Sequence, residues 1–211
     1  LPAVLPAIPA SVAEVVVADN GSRDGTAAVA RGLGATVVSE PVAGYGRACL
    51  AGIAALSMAV EVIVFLDADA SDDPGGIAAL LAPIAAGRAE FVLASRTQGG
   101  AEPGALTPQQ RVGNALACTL MRLIWGARHS DLGPVRAITR AALDRLAMQD
   151  QTWGSTVEMQ IRAAKAGLRT EEVALPYRRR IGVSKISGTV MGTRRAGAKI
   201  LWVIGREALR R

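Results

Sequence analysis

Short apolar runs alternate with amphipathic stretches along the first half of the chain. Residues 15–18, 62–66 and 91–94 are continuous apolar segments, which is typical of parallel strands buried on both faces. Helices are predicted between them, over about 26–33, 46–59 and 74–86. This alternation predicts an α/β fold with a doubly wound, mostly parallel sheet flanked by helices.

The second half of the chain is predicted to be more helical. Helical patterns cover 108–125, 140–148 and 155–166, and a strand is expected at about 172–175. No internal repeat or low-complexity linker interrupts the chain. A length of 211 residues, half of them apolar, suits one domain over 1–211.

Two carboxylates separated by one small residue follow the second apolar run. Asp67 and Asp69 therefore lie where the chain leaves a buried strand, at the carboxyl edge of the sheet, where α/β folds bind ligands. Carboxylate oxygens suit Mg²⁺ or Mn²⁺, with positions left open for diphosphate oxygens. The alternative is an acidic turn before the helix that Asp73 and Pro74 should begin.

A glycine-containing polar loop follows the first apolar run. Asp19, Asn20, Gly21 and Ser22 combine hydrogen-bonding side chains with a residue that allows a tight turn. A nucleoside could bind there. The alternative is an ordinary strand-to-helix loop, in which Asp24 or Thr26 caps the helix.

The formal charge of +6 is unevenly distributed. From Tyr177 onward there are ten Lys or Arg residues and one acid, Glu207, so everything before that point carries −3. A basic tail indicates an anionic partner, which could be a phosphate-bearing substrate, a membrane surface or nucleic acid. An aromatic content of 3% disfavours an aromatic sugar-stacking cleft.

Other features bear on location. No apolar run approaches the roughly 18–20 residues of a membrane-spanning helix, and residues 1–10 lack the basic region of a secretory signal. Cys49 and Cys118 are far apart, which favours reduced packing thiols over a disulfide framework. A cytoplasmic domain is expected, either soluble or held at the inner face of the cell membrane.

At this point the motifs resemble a known family, the family 2 glycosyltransferases of the GT-A fold. They especially resemble the branch of polyprenyl-phosphate (dolichyl-phosphate) sugar synthases. The strand and loop around Asp19 resemble the family's nucleotide-binding segment, and Phe65 to Asp69 resembles its metal motif. Further segments match in order, at 44–47, 111–114, 131–137 and 156–159. The resemblance covers nearly the whole chain.

The resemblance implies metal-dependent transfer of a hexose, with inversion, from a UDP- or GDP-hexose to an acceptor, expected to be a polyprenyl phosphate. Its metal ligands for Mg²⁺ or Mn²⁺ would be Asp67 and Asp69. Its nucleotide-binding residues would be Asp19, Asn20, Gly21, Ser22, Gly46 and Asp67. Its phosphate-binding residues would be Arg111, Arg136, Arg180 and Lys185.

Asp131 matches the family position of a carboxylate beside the acceptor, which makes it the candidate catalytic residue. A general base is needed if the acceptor is a hydroxyl, but much less if it is a phosphate. Asp131 could equally be a structural cap. The basic residues at 178–180 could equally form a solvated loop, and His129 is read as a loop residue.

The chain also departs from the family pattern. The family's first strand, which helps form the nucleotide pocket, is not visible, because the sequence begins at the following predicted helix. Two alternatives therefore stay open: a sugar-1-phosphate nucleotidyltransferase and a non-catalytic nucleotide-binding or membrane-surface scaffold. Nucleic-acid binding is disfavoured because the basic tail lacks interleaved aromatics. A Rossmann dehydrogenase is disfavoured because no complete dinucleotide fingerprint occurs.

The tail at 188–211 is predicted to be a basic amphipathic helix. Arg195, Lys199, Arg206 and Arg210 fall on one stripe, opposite an apolar side containing Ile200, Leu201 and Ile204. The helix could lie on an anionic membrane, where a lipid-phosphate acceptor would be presented. Alternatively its apolar side packs on the domain and its basic side is solvated. Trp202, near the basic stripe, favours the membrane interface.

Overall fold

The computed structural model describes residues 1–182 and 190–210. The strands are β1 (Val16–Asp19), β2 (Thr36–Ser39), β3 (Val62–Phe65), β4 (Phe91–Ser95), β5 (Arg136–Thr139) and β6 (Thr170–Ala174). The helices are α1 (Thr26–Gly32), α2 (Tyr45–Ala55), α3 (Ile77–Ala85), α4 (Arg96–Gly99), α5 (Pro108–Trp125), α6 (Arg140–Leu146), α7 (Ser155–Lys165) and α8 (Val190–Leu209).

The strands form two sheets. β1 and β2 pair in parallel, while the larger sheet has the order β3-β5-β4-β6. β6 runs parallel to β4, whereas β5 runs antiparallel to both of its neighbours. A cleft of about 490 Å³, lined by residues that include Val17, Asp19 and Ala68, lies beside the end of β1 and the loop after β3. The α/β class is confirmed, with an antiparallel strand that the sequence analysis had not predicted.

β4 is the centre of the core. Phe91 and Leu93 pack on one side with Ile63, Ile138 and other residues, whereas Val92 and Ala94 pack on the other side against Leu80 and its neighbours. The strand is buried along its whole length, as a continuous apolar run predicts. β1 and β3 are mostly half-buried.

Helix boundaries follow their capping residues. Thr107 and Gln110 form a reciprocal capping box at the start of α5, and Gly126 ends the helix in the left-handed conformation, φ 70°. Asp73 accepts a hydrogen bond from the Gly75 amide, which confirms its predicted capping role. It caps a short 3₁₀ turn, and therefore α3 begins three residues later than predicted.

The C-terminal helix α8 is attached to the domain on two sides. Val203 and Ile204 are buried in a cluster with residues of α5 and α7. Lys199 Nζ lies 2.8 Å from Asp150 Oδ2, and Arg206 Nη2 lies 2.9 Å from Glu158 Oε1. Lys199 and Arg206, two of the four residues of the predicted basic stripe, therefore face the protein.

Within residues 1–182 and 190–210, no helix is long and apolar enough to cross a membrane. Cys49 and Cys118 are free thiols, the first half-buried and the second buried.

Candidate functional site

The carboxylate loop, which we define as residues 66–73, follows β3. Ala70 has a left-handed backbone, φ 61°, and so turns the chain directly after Asp69. Asp69 Oδ1 accepts a hydrogen bond of 3.0 Å from the Ser71 amide and a second from the Ser71 hydroxyl. These bonds hold the Asp69 carboxylate in place beside the strand end.

A second segment lies along this loop and places a cation on it. The Arg178 amide donates to Ser71 O, and the Ile181 amide donates to Asp69 O, both at 2.8 Å. Between those two anchors, Arg180 Nη1 lies 3.3 Å from Asp69 Oδ2. Arg180, predicted as a phosphate-binding residue, therefore lies directly at the predicted metal ligand.

Two carboxylates of this loop, Asp67 and Asp72, are incompletely neutralised. Burial and the nearby charge of Asp69 raise the pKa of Asp67 to about 6, although Arg180 opposes both. Burial and the charge of Asp67 raise the pKa of Asp72 to about 7. A bound cation would relieve this repulsion, because opposite charge favours the ionised carboxylate.

The donor set fits a hard divalent cation. Among the described residues, no group of three or more His, Cys, Asp or Glu side chains could enclose a metal. Asp67 and Asp69 would supply only part of a coordination shell, which suits Mg²⁺ or Mn²⁺ because these ions are held by one or two carboxylates together with substrate phosphates. The residues therefore fit a metal that is shared with a ligand.

The polar loop after β1 borders the cleft. Asp19 Oδ1 accepts a 3.1 Å hydrogen bond from the Ser22 amide, and Gly21 has φ 71°. Asp19, Asn20 and Ser22 line the cleft together with Ala68. The structure thus brings three of the predicted nucleotide-binding residues, Asp19, Asn20 and Ser22, beside the loop that carries Asp67 and Asp69.

Asn20 has an additional structural task. Its Nδ2 donates to Glu40 O at 2.9 Å and to Val42 O at 2.8 Å, while its Oδ1 accepts from the Gly44 amide at 2.8 Å. The side chain therefore fastens the loop that leads into α2. An amide can both donate and accept here, which a carboxylate cannot.

Gly46 lies away from the cleft. Its amide donates to Thr152 O at 3.1 Å, and a Cβ at this position would lie 2.0 Å from Asp150 O. The residue is a glycine because two backbone segments approach closely. This position favours a packing role over the predicted nucleotide contact.

Asp131 is held by an arginine that the sequence analysis did not single out. Arg96 Nη2 lies 2.7 Å from Asp131 Oδ1, and Arg96 Nε lies 2.8 Å from Oδ2, which also accepts from the Arg96 amide. Burial lowers the pKa of Arg96, but hydrogen bonds and charge from Asp131 outweigh it and raise the pKa well above the ordinary value. Both Asp131 oxygens are therefore occupied by a permanent cation.

A simple rule would have found Arg96. It follows β4 directly, at the same sheet edge as Asp67, and strand ends at that edge were already treated as candidate positions. Arg96 also packs over the Tyr177 ring, with its Cζ 5.1 Å from the ring centroid. Tyr177 in turn forms a backbone β-bridge with Asp72, so Arg96 lies between Asp131 and the carboxylate loop.

The remaining predicted phosphate-binding residues have different positions. Arg136 is buried and donates to Pro134 O at 3.2 Å, to Thr156 O at 3.0 Å and to Gly133 O. Its guanidinium thus donates to backbone carbonyl oxygens, which favours a structural role. Arg111 is exposed on α5, and Lys185 lies outside the described residues. Burial and the charge of Arg136 lower the pKa of His129 to about 4, so this imidazole is neutral.

Fold and site together define a class. An α/β domain with paired carboxylates at the sheet edge, beside a polar cleft, is the arrangement of GT-A glycosyltransferases. Comparison with known proteins agrees: residues 3–146 match the family described as Glycosyl transferase family 2. The chain belongs to this family and is a glycosyltransferase.

Several relatives cover most of the chain. An uncharacterized glycosyltransferase of Mycobacterium tuberculosis is 38% identical over 195 residues, covering 92% of this chain and 86% of the relative. The dolichyl-phosphate hexose transferase of Haloferax volcanii is 33% identical, covering 94% and 84%. The undecaprenyl-phosphate mannosyltransferase of Micrococcus luteus is 30% identical, covering 88% and 80%. The chain is thus similar to enzymes named for polyprenyl-phosphate acceptors.

Solved structures show the same fold. Glucosyl-3-phosphoglycerate synthase from Mycobacterium tuberculosis, in complex with phosphoglyceric acid, gives a TM-score of 0.72 at 25% identity, covering 96% of this chain and 72% of that one. The same synthase has been solved with Mn²⁺, UDP and glucosyl-3-phosphoglycerate, at 23% identity and a TM-score of 0.72. The predicted GT-A fold is confirmed.

Proposed function

We propose that this glycosyltransferase moves a hexose, with inversion, from a nucleoside diphosphate sugar to a polyprenyl phosphate. The observation that carries the proposal is the pair Asp67 and Asp69 at a strand end beside the cleft lined by Asp19 and Ser22, with the pKa of Asp67 raised by burial and by Asp69. The names of the Haloferax and Micrococcus relatives support the acceptor class. The UDP complex of the structural neighbour supports a nucleotide donor.

The donor would lie across two loops. The polar loop at 19–22 would contact the nucleoside, while Asp67 and Asp69 would hold Mg²⁺ or Mn²⁺ against the diphosphate. The cation would supply neutralisation of the charge that develops on the leaving diphosphate. Arg180 Nη1 lies 3.3 Å from Asp69 Oδ2. Once Asp69 binds the cation, the Arg180 guanidinium would be free to bind the diphosphate oxygens instead.

The state of Asp131 favours a phosphate acceptor. Its two oxygens are engaged by Arg96, so its lone pairs are poorly placed to accept a proton from a hydroxyl nucleophile. A phosphate monoester is already anionic and needs little general-base assistance. One of its oxygens would attack the anomeric carbon and form the new bond, while the bond to the diphosphate breaks on the opposite face.

Under this proposal Asp131 acts as a positioning residue. It would fix Arg96 beside Tyr177 and the carboxylate loop, and the Arg96 cation would stabilise the anionic groups that gather at the sheet edge. Its predicted role as a general base stays a prediction, and the stability of Asp131→Asn separates that role from positioning.

Calorimetric titration tests the donor half of the proposal. UDP, GDP and their hexose conjugates are added with and without Mn²⁺ to the wild-type chain, to Asp69→Ala and to Asp144→Ala, which removes an exposed carboxylate on α6 as a control. Binding of one nucleotide that requires Mn²⁺ and is lost only in Asp69→Ala is expected. Binding that ignores both Mn²⁺ and Asp69 would overturn the metal-dependent assignment.

The acceptor half needs a transfer assay. The preferred sugar nucleotide is incubated with undecaprenyl phosphate and, in parallel, with undecaprenol, which differs only in lacking the phosphate. Sugar transfer to the phosphate alone is expected. Transfer to the alcohol at a comparable rate would contradict the proposed acceptor and restore a need for a general base.

A further inference from the structure

Residues 149–154, in the connection between α6 and α7, cap the start of α2. The Gly46 amide donates to Thr152 O at 3.1 Å. The Arg47 amide donates to Gln151 O at 3.0 Å. Amides in the first turn of a helix have no acceptor within the helix, and no side chain caps α2. The first turn of α2 therefore depends on the 149–154 loop for its hydrogen-bond acceptors.

The start of α2 is also attached to the cleft. Gly44, which precedes the helix, donates its amide to Asn20 Oδ1 at 2.8 Å, and Asn20 lines the cleft. A Cβ at Gly44 would lie 2.3 Å from Gln151 O, so Gly44 contacts the 149–154 loop as well as Asn20. A displacement of the loop would therefore reach one of the predicted nucleotide-binding residues.

Two buried carboxylates hold the 149–154 loop in its conformation. Asp150 is 3% exposed, and its Oδ1 accepts from the amides of Thr152 and Gly154 at 2.9 and 3.1 Å. Glu158 Oε2 accepts from the amides of Gln149 and Asp150 at 3.1 and 2.7 Å. A buried carboxylate is costly unless its charge is paired. The loop therefore depends on the cations that neutralise these two side chains.

Helix α8 supplies a cation to each carboxylate. Lys199 Nζ lies 2.8 Å from Asp150 Oδ2, and Arg206 Nη2 lies 2.9 Å from Glu158 Oε1. The Trp202 ring contacts both cations, with its centroid 4.3 Å from Lys199 Nζ and 5.0 Å from Arg206 Cζ. Such cation–π contacts restrain the long side chains. The 149–154 loop is thus held between α8 and α2.

Asp150 depends on α8 more than Glu158 does. Glu158 also pairs with Arg162 of α7, at 3.0 Å. Within the described part of the chain, Lys199 is the one cation that forms an ion pair with Asp150. Burial would raise the pKa of Asp150, but the hydrogen bonds from Lys199 and Thr152 hold it below its ordinary value. Lys199 is therefore the residue through which α8 fixes the loop.

We propose that Lys199 and Asp150 are positioning residues for the nucleoside diphosphate donor. Through Asp150, Lys199 holds the 149–154 loop against α2 and so keeps Asn20 in place beside the cleft. Both residues act through others, because the cleft is lined by different side chains. This role rests on the proposed function, since the donor must bind in that cleft. Couplings between separated sites are typically worth about 5- to 150-fold in affinity.

Four variants isolate the ion pair. Lys199→Met removes the cation and keeps an apolar side chain, and Lys199→Arg restores the charge. Arg195→Met is the matched control, because it removes an exposed cation one turn earlier in α8. Asp150→Asn/Lys199→Met removes both charges and so leaves no buried carboxylate unpaired. Urea denaturation of each variant shows which of them are fully folded.

Two measurements are made on the folded variants. Calorimetry gives the affinity for UDP and GDP with Mn²⁺, and NMR gives amide exchange at Gly44 and Gly46 without nucleotide. In Lys199→Met and in the double variant we expect a nucleotide affinity about tenfold weaker, together with faster exchange at both amides. Arg195→Met should match wild type, and Lys199→Arg should recover most of the affinity. In the transfer assay the donor KM should rise about tenfold, with kcat within about twofold of wild type.

Three results would overturn the positioning role. One is an unchanged nucleotide affinity in the folded double variant while wild type binds normally. Another is equal amide exchange at Gly44 and Gly46 in Lys199→Met and Arg195→Met, because the loop would then transmit nothing to α2. These two results leave the proposed function intact. The third, a wild-type chain that binds neither nucleotide, overturns the proposed function and the positioning role with it.

Discussion

Two groups of carboxylates lie at the same edge of the sheet, and they have opposite electrostatic conditions. Asp67 and Asp69 are close together, and burial raises the pKa of Asp67 to about 6. Asp131 is 1% exposed, and a bidentate arginine neutralises it. The difference teaches that aspartates at neighbouring strand ends can differ in charge compensation: one arginine pairs fully with Asp131, whereas Asp67 keeps a raised pKa although Arg180 is nearby.

The largest expected effect comes from breaking the ion pair between Arg96 and Asp131. Asp131→Asn leaves the mostly buried Arg96 cation without its partner, and we expect a loss of about 3–5 kcal/mol in the free energy of unfolding. Urea denaturation measures it. The double variant Arg96→Met/Asp131→Leu is the control and should recover much of that loss. A stable Asp131→Asn variant without activity would instead identify Asp131 as a general base.

A substitution in the pair Asp67 and Asp69 should have the reverse effect, with a large loss of activity and little loss of stability. Asp69→Asn removes a metal ligand, and we expect kcat to fall about 100-fold or more, as for loss of other electrostatic stabilisers of a leaving group. Stability should change little, because the substitution also removes the repulsion between Asp69 and Asp67. Steady-state kinetics with parallel urea titrations checks both parts. A large loss of stability would show that the pair is structural.

The pH dependence of metal binding sharpens the contrast. Protons and cations compete for Asp67, whose pKa is about 6. Protonation of the neighbouring Asp72, whose pKa is about 7, also reduces the negative charge near the metal. Mn²⁺ affinity should therefore be highest above pH 7 and fall by up to about tenfold per unit below pH 6. Calorimetry at several pH values measures the curve. A flat profile would contradict the raised pKa of Asp67.

The smallest expected effect concerns Arg180. Its guanidinium competes with a metal for Asp69 Oδ2, so Arg180→Ala should raise Mn²⁺ affinity in the absence of nucleotide by a few-fold, about the value of a partly exposed ion pair. The same variant should weaken binding of the nucleoside diphosphate in the presence of Mn²⁺. Arg178→Ala, which removes an exposed pair with Asp73, is the control. Unchanged affinities in Arg180→Ala would place Arg180 outside the site.

Much of the fold was predictable because its signals are local. Thr107 and Gln110 cap α5, Gly126 ends it, and the predicted 108–125 bounds agree with the observed helix. β2 and β5 were missed because each contains only two consecutive apolar residues between polar ends, which is too short a run to predict a strand. β5 begins with a buried arginine. A charged residue interrupts an apolar run, so a search for apolar runs does not detect this strand.

The candidate site divides in the same way. Asp67, Asp69 and Asp19 could be found because each follows an apolar run, and a strand end is a position that sequence reveals. The roles of Gly46 and Arg136 depend on what packs against them: the Asp150 backbone for the first, and the carbonyls of Gly133, Pro134 and Thr156 for the second. These partners are distant in sequence, with the exception of Gly133 and Pro134, so spacing does not reveal them.

By itself the sequence determined the α/β class, the family, the carboxylate pair and the helical nature of the tail, since each depends on short-range periodicity or on an ordered set of motifs. The tertiary structure alone decided the pairing of Arg96 with Asp131, the position of Arg180 at Asp69, and the side of α8 that faces the protein. Charge neutralisation and burial are set by neighbours that folding brings together, which is why they could not be predicted from residue order.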